Sequence, residues 1–209
     1  LVCASNANNV LTDFLQTGVY DRQRDFYQTM SPSMDILVSS NLERLLYHLT
    51  EDAAQVAVWM KSLAEDGTYD ASRLLPVLRE NFWAAFADDA ATEEEIRTVY
   101  ESTQYTLDTH TAVAYRAAEA YRRETGDVRP MVVLSTASPY KFGASVLHAL
   151  GEDVAAMDEF AQMERLHERS GMEIPARLGA LRSAALLHEG VCETDGMRTA
   201  VLDFARNLS

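Results

Sequence analysis

The sequence predicts an α/β fold in which the chain forms part of a doubly wound, mostly parallel sheet with a helical insertion. Two segments carry this prediction, because each joins a short apolar run, a polar turn and a helix in that order. They are residues 1–18 and 131–151. Between them, apolar residues recur mainly at helical spacing. The predicted order is therefore strand and helix, then a helical stretch, then helix, strand and helix.

The N-terminal segment is predicted to begin with a short buried strand at Leu1–Ala4, because these residues are mostly apolar. The polar turn S-N-A-N-N follows, and Asn8 or Asn9 can cap the next helix. That helix is predicted at Val10–Gln16 and ends at Gly18, since glycine favours the left-handed conformation common just after a helix.

The middle of the chain is predicted to be a polar loop at Tyr20–Pro32 followed by a series of helices. Thr92 and Glu95 have the spacing of a capping box, which predicts a helix beginning at the next residue, 93. Asp108 or Thr109 can cap the last helix of the series. The predicted helices are Asn41–Leu63, Ala71–Phe86, Glu93–Tyr105 and His110–Arg123.

The segment M-V-V-L-S-T-A-S-P-Y-K-F is the most informative part of the sequence. Met131–Leu134 is apolar and partly β-branched, which is typical of a buried parallel strand. Ser138 is predicted to cap a helix in which Pro139 is the first residue. Ser135 and Thr136 therefore lie at the carboxyl end of the predicted strand, where open α/β sheets bind ligands. Their hydroxyls either bind a polar ring atom or an anion, or only cap the turn.

Composition and charge limit the possible functions. The chain has 209 residues and is 47% hydrophobic, so it can bury a sizeable core. Its formal net charge of −14 argues against nucleic acid or an anionic membrane as a partner. No apolar run is long enough to cross a membrane. Cys3 and Cys192 have no metal or redox spacing, so we expect no metal and a reduced, cytoplasmic compartment.

Individual polar residues allow more than one interpretation. His110, at the start of a helix, can hold an anion with the help of the helix dipole, or it can be a capping or surface histidine. Arg44 follows Asn41 at another helix start, where the pair can bind a phosphate or simply be solvated. The remaining histidines stand in no motif and are assigned no role: His48, His148, His167 and His188.

Four segments resemble threonine synthase, a pyridoxal-phosphate enzyme of the tryptophan-synthase-β-like group. In chain order they read C-A-S-N-A-N-N-V-L-T-D-F-L-Q-T-G, S-P-S-M-D-I-L-V-S-S-N-L-E-R-L-L, D-T-H-T-A-V-A-Y-R-A-A and L-S-T-A-S-P-Y-K-F. They begin at Cys3, Ser31, Asp108 and Leu134, and their order and spacing also agree with the family. The sequence departs from the family pattern at Thr109, where proline is usual, and at Ser138, where histidine is common.

The resemblance covers less than half of such an enzyme, namely its C-terminal part. It implies that residues 1–209 belong to a fold type II catalytic region, with a helical insertion at 51–105 and C-terminal helices at 152–209. The family's Schiff-base lysine and its glycine-rich phosphate loop lie upstream, and neither Lys61 nor Lys141 matches that lysine. We therefore expect a fragment with no catalytic residue of its own, inactive without the missing N-terminal portion of the same enzyme.

The resemblance also implies a reaction: the conversion of O-phospho-L-homoserine and water into L-threonine and phosphate, with pyridoxal 5′-phosphate as cofactor. Thr136 would face the pyridine nitrogen, with Ser135 beside it. The residues that match polar family positions near the substrate are Asn6, Asn8, Asn41, Arg44 and His110. Two alternatives remain open: a non-catalytic docking module, and a related phospholyase that acts on another phosphorylated amino acid.

Overall fold

The computed structural model describes residues 1–187 and 190–207, so His188 lies outside the described residues. The chain divides into two compact units, the first spanning Leu1–Ile174 and the second beginning at Pro175. Each unit is described by itself.

The first unit contains short strands and mostly longer helices. Its strands are β1 (Val2–Ser5), β2 (Val19–Asp21), β3 (Thr68–Asp70) and β4 (Trp83–Phe86). Its helices are α1 (Val10–Thr17), α2 (Leu42–Thr50), α3 (Ala53–Glu65), α4 (Leu75–Asn81), α5 (Asp89–Thr103), α6 (Thr109–Thr125), α7 (Gly143–Ala149) and α8 (Glu159–Ser170). Short 3₁₀ turns lie at Pro32–Met34, Ser72–Leu74 and Pro139–Phe142.

Strands β1 and β4 form a parallel pair whose register aligns Val2 with Trp83 and Ser5 with Phe86. Helices α1 and α6 both pack against both strands. A parallel pair covered by helices is the arrangement expected of an α/β protein. The α/β class predicted from the sequence is therefore confirmed.

A second, antiparallel pair joins β2 to β3 and closes the main hydrophobic core. Tyr20 and Tyr69 stack there with ring centroids 5.3 Å apart, and Phe14 packs against both. The chain enters β2 through Gly18, whose φ is 77°. A Cβ at this position would lie 2.4 Å from the Cα of Ser72, so only glycine fits the turn.

Several helix ends agree with the predictions because they depend on local chemistry. Helix α1 begins at Val10 and is ended by Gly18. Helix α6 is capped by Asp108, whose carboxylate accepts hydrogen bonds from the backbone N–H groups of His110 and Thr111. The turn at Pro139 is capped by Ser138.

Two long helix predictions are corrected. The single helix predicted at Asn41–Leu63 is the two helices α2 and α3, because Glu51 adopts a left-handed conformation and Asp52 caps a new helix. The helix predicted at Ala71–Phe86 ends at residue 81, and its last residues form β4. Pairing with β1, far away in sequence, outweighs the helical pattern there.

The capping box predicted at Thr92 and Glu95 is also wrong. Helix α5 begins at Asp89, and Asp88 is its cap, accepting a hydrogen bond from the N–H of Ala91. Thr92 lies inside the first turn and donates its hydroxyl to the Asp88 carbonyl. An aspartate four residues earlier therefore starts the helix before the threonine can.

The predicted strand at Met131–Leu134 is the largest correction. These residues are not in a strand, and the side chains of Val132 and Leu134 are 87% and 71% exposed. A strand exists only where a neighbour supplies backbone hydrogen bonds. Within the described residues, both sheets consist of two strands, and neither includes this segment.

The second unit is helical. It contains α9 (Ala176–Gly179) and α10 (Met197–Arg206), with 3₁₀ turns at Ala180–Ser183 and Thr194–Gly196. In the described part of the whole chain, no helix has the length and apolar character required to cross a membrane.

Candidate functional site

A polar cluster lies directly after the carboxyl end of β1. Asn6 is 1% exposed, and its Nδ2 donates hydrogen bonds to Asp35 Oδ1 at 2.7 Å and to the hydroxyls of Thr29 and Ser31 at 2.8 and 3.1 Å. Asn8 is 2% exposed, and its backbone N–H donates to Asn6 Oδ1 at 2.9 Å. The buried amide of Asn6 is thus held by loop residues more than 20 positions away in sequence.

Asp35 is the centre of this cluster. Its carboxylate accepts hydrogen bonds from Asn6 Nδ2, from Asn8 Nδ2 at 3.0 Å, and from both the backbone N–H and the hydroxyl of Thr29 at 3.0 and 2.7 Å. Hydrogen bonds to a charged acceptor are stronger than those between neutral groups. The carboxylate therefore ties the turn after β1 to the loop at 27–35.

The same loop reaches His110 at the start of α6. The backbone N–H of Ser33 donates to His110 Nε2 at 3.1 Å, so this nitrogen is the acceptor and the ring proton is on Nδ1. Nδ1 lies 3.2 Å from Thr109 Oγ1 and 3.5 Å from the Asp108 carboxylate. The imidazole packs against Phe142 with ring centroids 4.7 Å apart.

The environment of His110 favours the neutral ring. Burial is the main cause of a lowered pKa for His110, and Lys141 lowers it further. The carboxylates of Asp108 and Asp35 oppose this shift without cancelling it. The geometry and the electrostatics therefore agree, because a protonated ring would turn Nε2 into a donor facing the donor of Ser33.

The start of α6 also contacts the segment after residue 134. The hydroxyl of Thr111 bonds to the cap carboxylate of Asp108 and lies 3.3 Å from Ser135 Oγ. The four segments singled out in the sequence therefore form one continuous set of contacts: Asn6 with Asp35, Ser33 with His110, and Thr111 with Ser135.

A cavity of about 1170 Å³ lies beside this cluster. Ser33, Met34, His110 and Thr136 line one part of it. Thr136 is exposed, and its hydroxyl has no hydrogen-bond partner within the described residues. Elsewhere the cavity is lined by Leu1, Val2, Ala4, Trp83, Ala114, Ala118, Tyr121 and Met131–Leu134, among others.

The predicted substrate residues fall into two groups. Asn6, Asn8 and His110 belong to the cluster, but the contacts given above engage their polar atoms inside the chain. Asn41 and Arg44 lie apart, at the exposed start of α2, where Arg44 Nη2 donates to Asn41 Oδ1 at 2.5 Å. Neither Asn41 nor Arg44 lines the cavity.

Both lysines lie away from the cavity lining. Lys61 is on α3, 3.9 Å from Glu65, and Lys141 lies in the 3₁₀ turn with its Nζ 5.6 Å from the centroid of the Phe142 ring. Among the residues that the structure describes, no group of three His, Cys, Asp or Glu side chains is arranged to hold a metal.

Asp35 was not among the residues predicted from the sequence, although a signal was present. Asp35 is the only charged residue in the stretch from Ser31 to Leu42. A single carboxylate in an otherwise uncharged loop, next to two buried asparagines, is a natural acceptor for their amides. Pairing it with those asparagines required the fold, because 27 and 29 residues separate them.

These features define an α/β domain whose polar cluster lies at the carboxyl end of a parallel strand, the position at which open α/β sheets bind ligands. A family model described as the C-terminal domain of threonine synthase matches residues 111–184. The chain is 35% identical over 202 residues to threonine synthase of Methylobacillus glycogenes, covering 92% of this chain and 40% of that one. It is 33% identical over 195 residues to human "Threonine synthase-like 1", covering 92% and 24%.

A solved structure agrees with these sequence relatives. The PLP-bound threonine synthase of Brucella melitensis is 33% identical to this chain, with a TM-score of 0.73, over 88% of this chain and 36% of that one. This chain is therefore a homologue of the C-terminal part of threonine synthases, as the resemblance of its four segments predicted. It spans about a quarter to two fifths of the length of the curated relatives named here.

Proposed function

We propose that this chain supplies the C-terminal part of a PLP-dependent lyase that converts O-phospho-L-homoserine and water into L-threonine and phosphate. One observation carries the proposal: the four segments that resemble the family contact one another beside a single cavity. The β1–β4 pair would then belong to a larger, doubly wound sheet of fold type II in a cytoplasmic enzyme. The predicted insertion at 51–105 would supply the β4 strand of this sheet as well as helices, and 152–209 would provide the C-terminal helices.

The residues at the cavity fit one side of pyridoxal phosphate. The ring nitrogen of this cofactor needs a polar partner, and the Thr136 hydroxyl is exposed at the cavity without a partner among the described residues. Ser135 stands beside it and is held by Thr111. Bound there, the cofactor supplies an electron sink for the negative charge that develops on substrate carbons when protons leave.

The chain's own contribution would be to present the uncharged Thr136 hydroxyl and the neutral His110 ring to the cavity. A threonine hydroxyl donates a hydrogen bond to the ring nitrogen without giving it a proton, whereas a carboxylate partner would favour protonation. His110 remains neutral because it is buried and accepts the Ser33 N–H. The cap of Asp108 holds Thr111, and Thr111 in turn positions Ser135. No step of proton transfer is assigned to these residues.

The same geometry supports separate roles for the predicted substrate residues. Asn6 and Asn8 shape the wall through Asp35, and His110 shapes it through Ser33. Arg44 is exposed on α2 and offers a guanidinium suited to phosphate oxygens, with Asn41 beside it. We propose that Arg44 and Asn41 form part of the phosphate recognition of the assembled enzyme.

The test is a chimera in which this chain replaces the matching region of the Methylobacillus glycogenes enzyme. With pyridoxal phosphate and O-phospho-L-homoserine, we expect phosphate and threonine to be released in equal amounts. Thr136→Val should slow the reaction roughly fivefold, because a hydrogen bond is worth about 1 kcal/mol, whereas Thr136→Ser should retain most activity. A chimera that folds and takes up the cofactor but releases no phosphate from this substrate would refute the proposed reaction.

A related phospholyase is the second candidate. The human relative is described as threonine synthase-like, and its sequence is about as similar to this chain as that of the bacterial enzyme. The same chimera distinguishes the two candidates. Release of phosphate from another phosphorylated amino acid, faster than from O-phospho-L-homoserine, would favour the alternative.

A further inference from the structure

Tyr20 connects the aromatic core to the loop that leads into α2. Its side chain is 1% exposed, and its ring stacks on that of Tyr69. The Tyr20 hydroxyl donates a hydrogen bond to the carbonyl of Leu37 at 3.1 Å and accepts one from the backbone N–H of Ser39 at 2.8 Å. A single phenol oxygen therefore makes two hydrogen bonds to a loop that lies 17 to 19 positions further along the chain.

The loop at 37–40 has few other attachments. None of its four side chains is buried, and Val38 is 47% exposed. Within the residues that the structure describes, both hydrogen bonds that reach this loop from a distant segment involve the Tyr20 hydroxyl. Removing that hydroxyl would therefore release the loop while the ring could still fill the core.

The loop leads directly to the two residues proposed to recognise phosphate. Asn41 follows the loop, and its Oδ1 accepts a hydrogen bond from Arg44 Nη2 at 2.5 Å. Leu42 and Leu46 are 8% and 0% exposed, so they anchor α2 in the core. They do not fix the end of the long Arg44 side chain, which has many rotamers. The contact with Asn41 selects one direction for the guanidinium.

The hydroxyl of Tyr20 serves the loop and not the aromatic stack. Burial raises the pKa of Tyr20, and the Ser39 N–H and Arg24 oppose this shift without cancelling it. The hydroxyl therefore keeps its proton at neutral pH and can donate one hydrogen bond while it accepts another. In contrast, the hydroxyl of Tyr69 in the same stack makes no hydrogen bond within the described residues.

We propose that Tyr20 is a positioning residue for phosphate recognition: its hydroxyl holds the loop before α2, so that Asn41 can direct the Arg44 guanidinium toward the phosphate of the substrate. The last step rests on the proposed function, in which Asn41 and Arg44 recognise this phosphate. A guanidinium that is already held in one direction loses less rotamer entropy when it binds phosphate oxygens, so it binds them more tightly. Tyr20 itself acts only through the loop.

Amide hydrogen exchange in the chain tests the first step. Tyr20→Phe removes the acceptor of the Ser39 N–H, so this amide should exchange roughly tenfold faster. Tyr69→Phe is the matched control, because it removes a hydroxyl from the same stack without touching the loop, and it should leave the Ser39 amide unchanged. If the Ser39 amide exchanges equally fast in both variants, the Tyr20 hydroxyl does not hold the loop and the proposal is overturned.

Phosphate binding tests the second step in the chimera described above, with pyridoxal phosphate bound. Tyr20→Phe should raise the Kd for inorganic phosphate and the KM for O-phospho-L-homoserine roughly fivefold, with kcat changed by less than about twofold. Tyr69→Phe should change none of these values. In an Arg44→Ala background, Tyr20→Phe should have no further effect on the Kd, because the group that it positions is gone.

The double-mutant cycle separates a positioning role from a structural one. A hydroxyl that only stabilises the fold would act equally with and without Arg44, so additive effects on the Kd would overturn the proposal. An unchanged Kd in Arg44→Ala alone would overturn it as well.

The same measurements distinguish this proposal from the proposed reaction. If Tyr20 and Arg44 are coupled in phosphate binding but the chimera releases no phosphate from O-phospho-L-homoserine, the positioning role stands and the proposed reaction fails. If the chimera releases phosphate and threonine but the two residues act independently, the reaction stands and the positioning role fails.

Discussion

Replacing Asp35 by alanine should destabilise the first unit strongly. The carboxylate accepts four hydrogen bonds, from the side-chain amides of Asn6 and Asn8 and from the N–H and hydroxyl of Thr29. Asn6 Nδ2 also donates to Thr29 and Ser31, and Asn8 Nδ2 to a backbone carbonyl, so both amides keep acceptors in the variant. The backbone N–H of Thr29 has no other acceptor within the described residues. One orphaned amide together with lost charged hydrogen bonds amounts to about 3 kcal/mol.

Urea unfolding followed by tryptophan fluorescence measures this loss, because Trp59 and Trp83 both lie in the first unit. A loss of about 3 kcal/mol should lower the unfolding midpoint by roughly 1 M or more. Asp25→Ala is the control, since Asp25 is an exposed aspartate in the preceding loop, and its effect should stay within about 0.5 kcal/mol. If Asp35→Ala is as stable as Asp25→Ala, Asp35 does not organise the cluster.

Three further predictions concern other parts of the chain. Folding lowers the pKa of His110 below the value of about 6.5 that it has in the unfolded chain. The contribution of His110 to stability is therefore fully present above the unfolded-state pKa and is lost as the pH falls through the folded-state pKa. His110→Gln should flatten this part of the curve of urea midpoint against pH. Gly18→Ala should lower the free energy of unfolding by about 2–3 kcal/mol, because the new Cβ would lie 2.4 Å from the Cα of Ser72. Gly126→Ala is the control: it is also at positive φ but has open space around it, so the same assay should show a loss of only about 1 kcal/mol. Borohydride reduction of the chain with pyridoxal phosphate should leave no stoichiometric adduct on Lys61 or Lys141, because neither lines the cavity, and mass spectrometry of peptides would reveal one if it formed.

The parts of the fold that were predicted correctly are those decided within a few residues. Gly18 ends α1, Asp108 caps α6 and Ser138 caps the turn at Pro139, each through its own backbone conformation or side-chain oxygen. Such signals can be read from sequence because the groups that interact are neighbours along the chain. Even local signals can compete with one another, since two nearby residues could cap α5 and Asp88, not Thr92, does so.

The parts that were missed depend on distant partners. Trp83–Phe86 continues an apolar pattern that suits a helix, and it becomes a strand only because β1 lies beside it. Met131–Leu134 shows the converse: its composition suits a buried strand, but the described chain offers it no neighbour. Strand formation needs both a suitable sequence and a partner, and the sequence of one segment reports only the first.

The candidate site was also predicted only in part, because its contacts join residues that are distant in sequence. The resemblance to threonine synthases pointed to four segments that contact one another in the structure, but it did not predict that Asp35 holds Asn6 and Asn8 or that Ser33 holds His110. Those contacts join loops separated by 27 to 77 residues. The residue types indicate that polar groups will be buried, but which of these groups form hydrogen bonds with one another depends on the fold.

The electrostatics of this wall bear on how a phosphorylated substrate can be bound. The chain carries a net charge of −14, which repels a phosphate at long range. Within the cluster, the ring of His110 is neutral, and the Asp35 carboxylate adds negative charge. Of the predicted substrate residues only Arg44 offers a permanent positive charge, and it lies outside the cluster on α2. Under the proposed function, recognition of the substrate phosphate therefore falls to Arg44 or to groups outside this cluster, because the neutral His110 ring and the Asp35 carboxylate do not attract an anion.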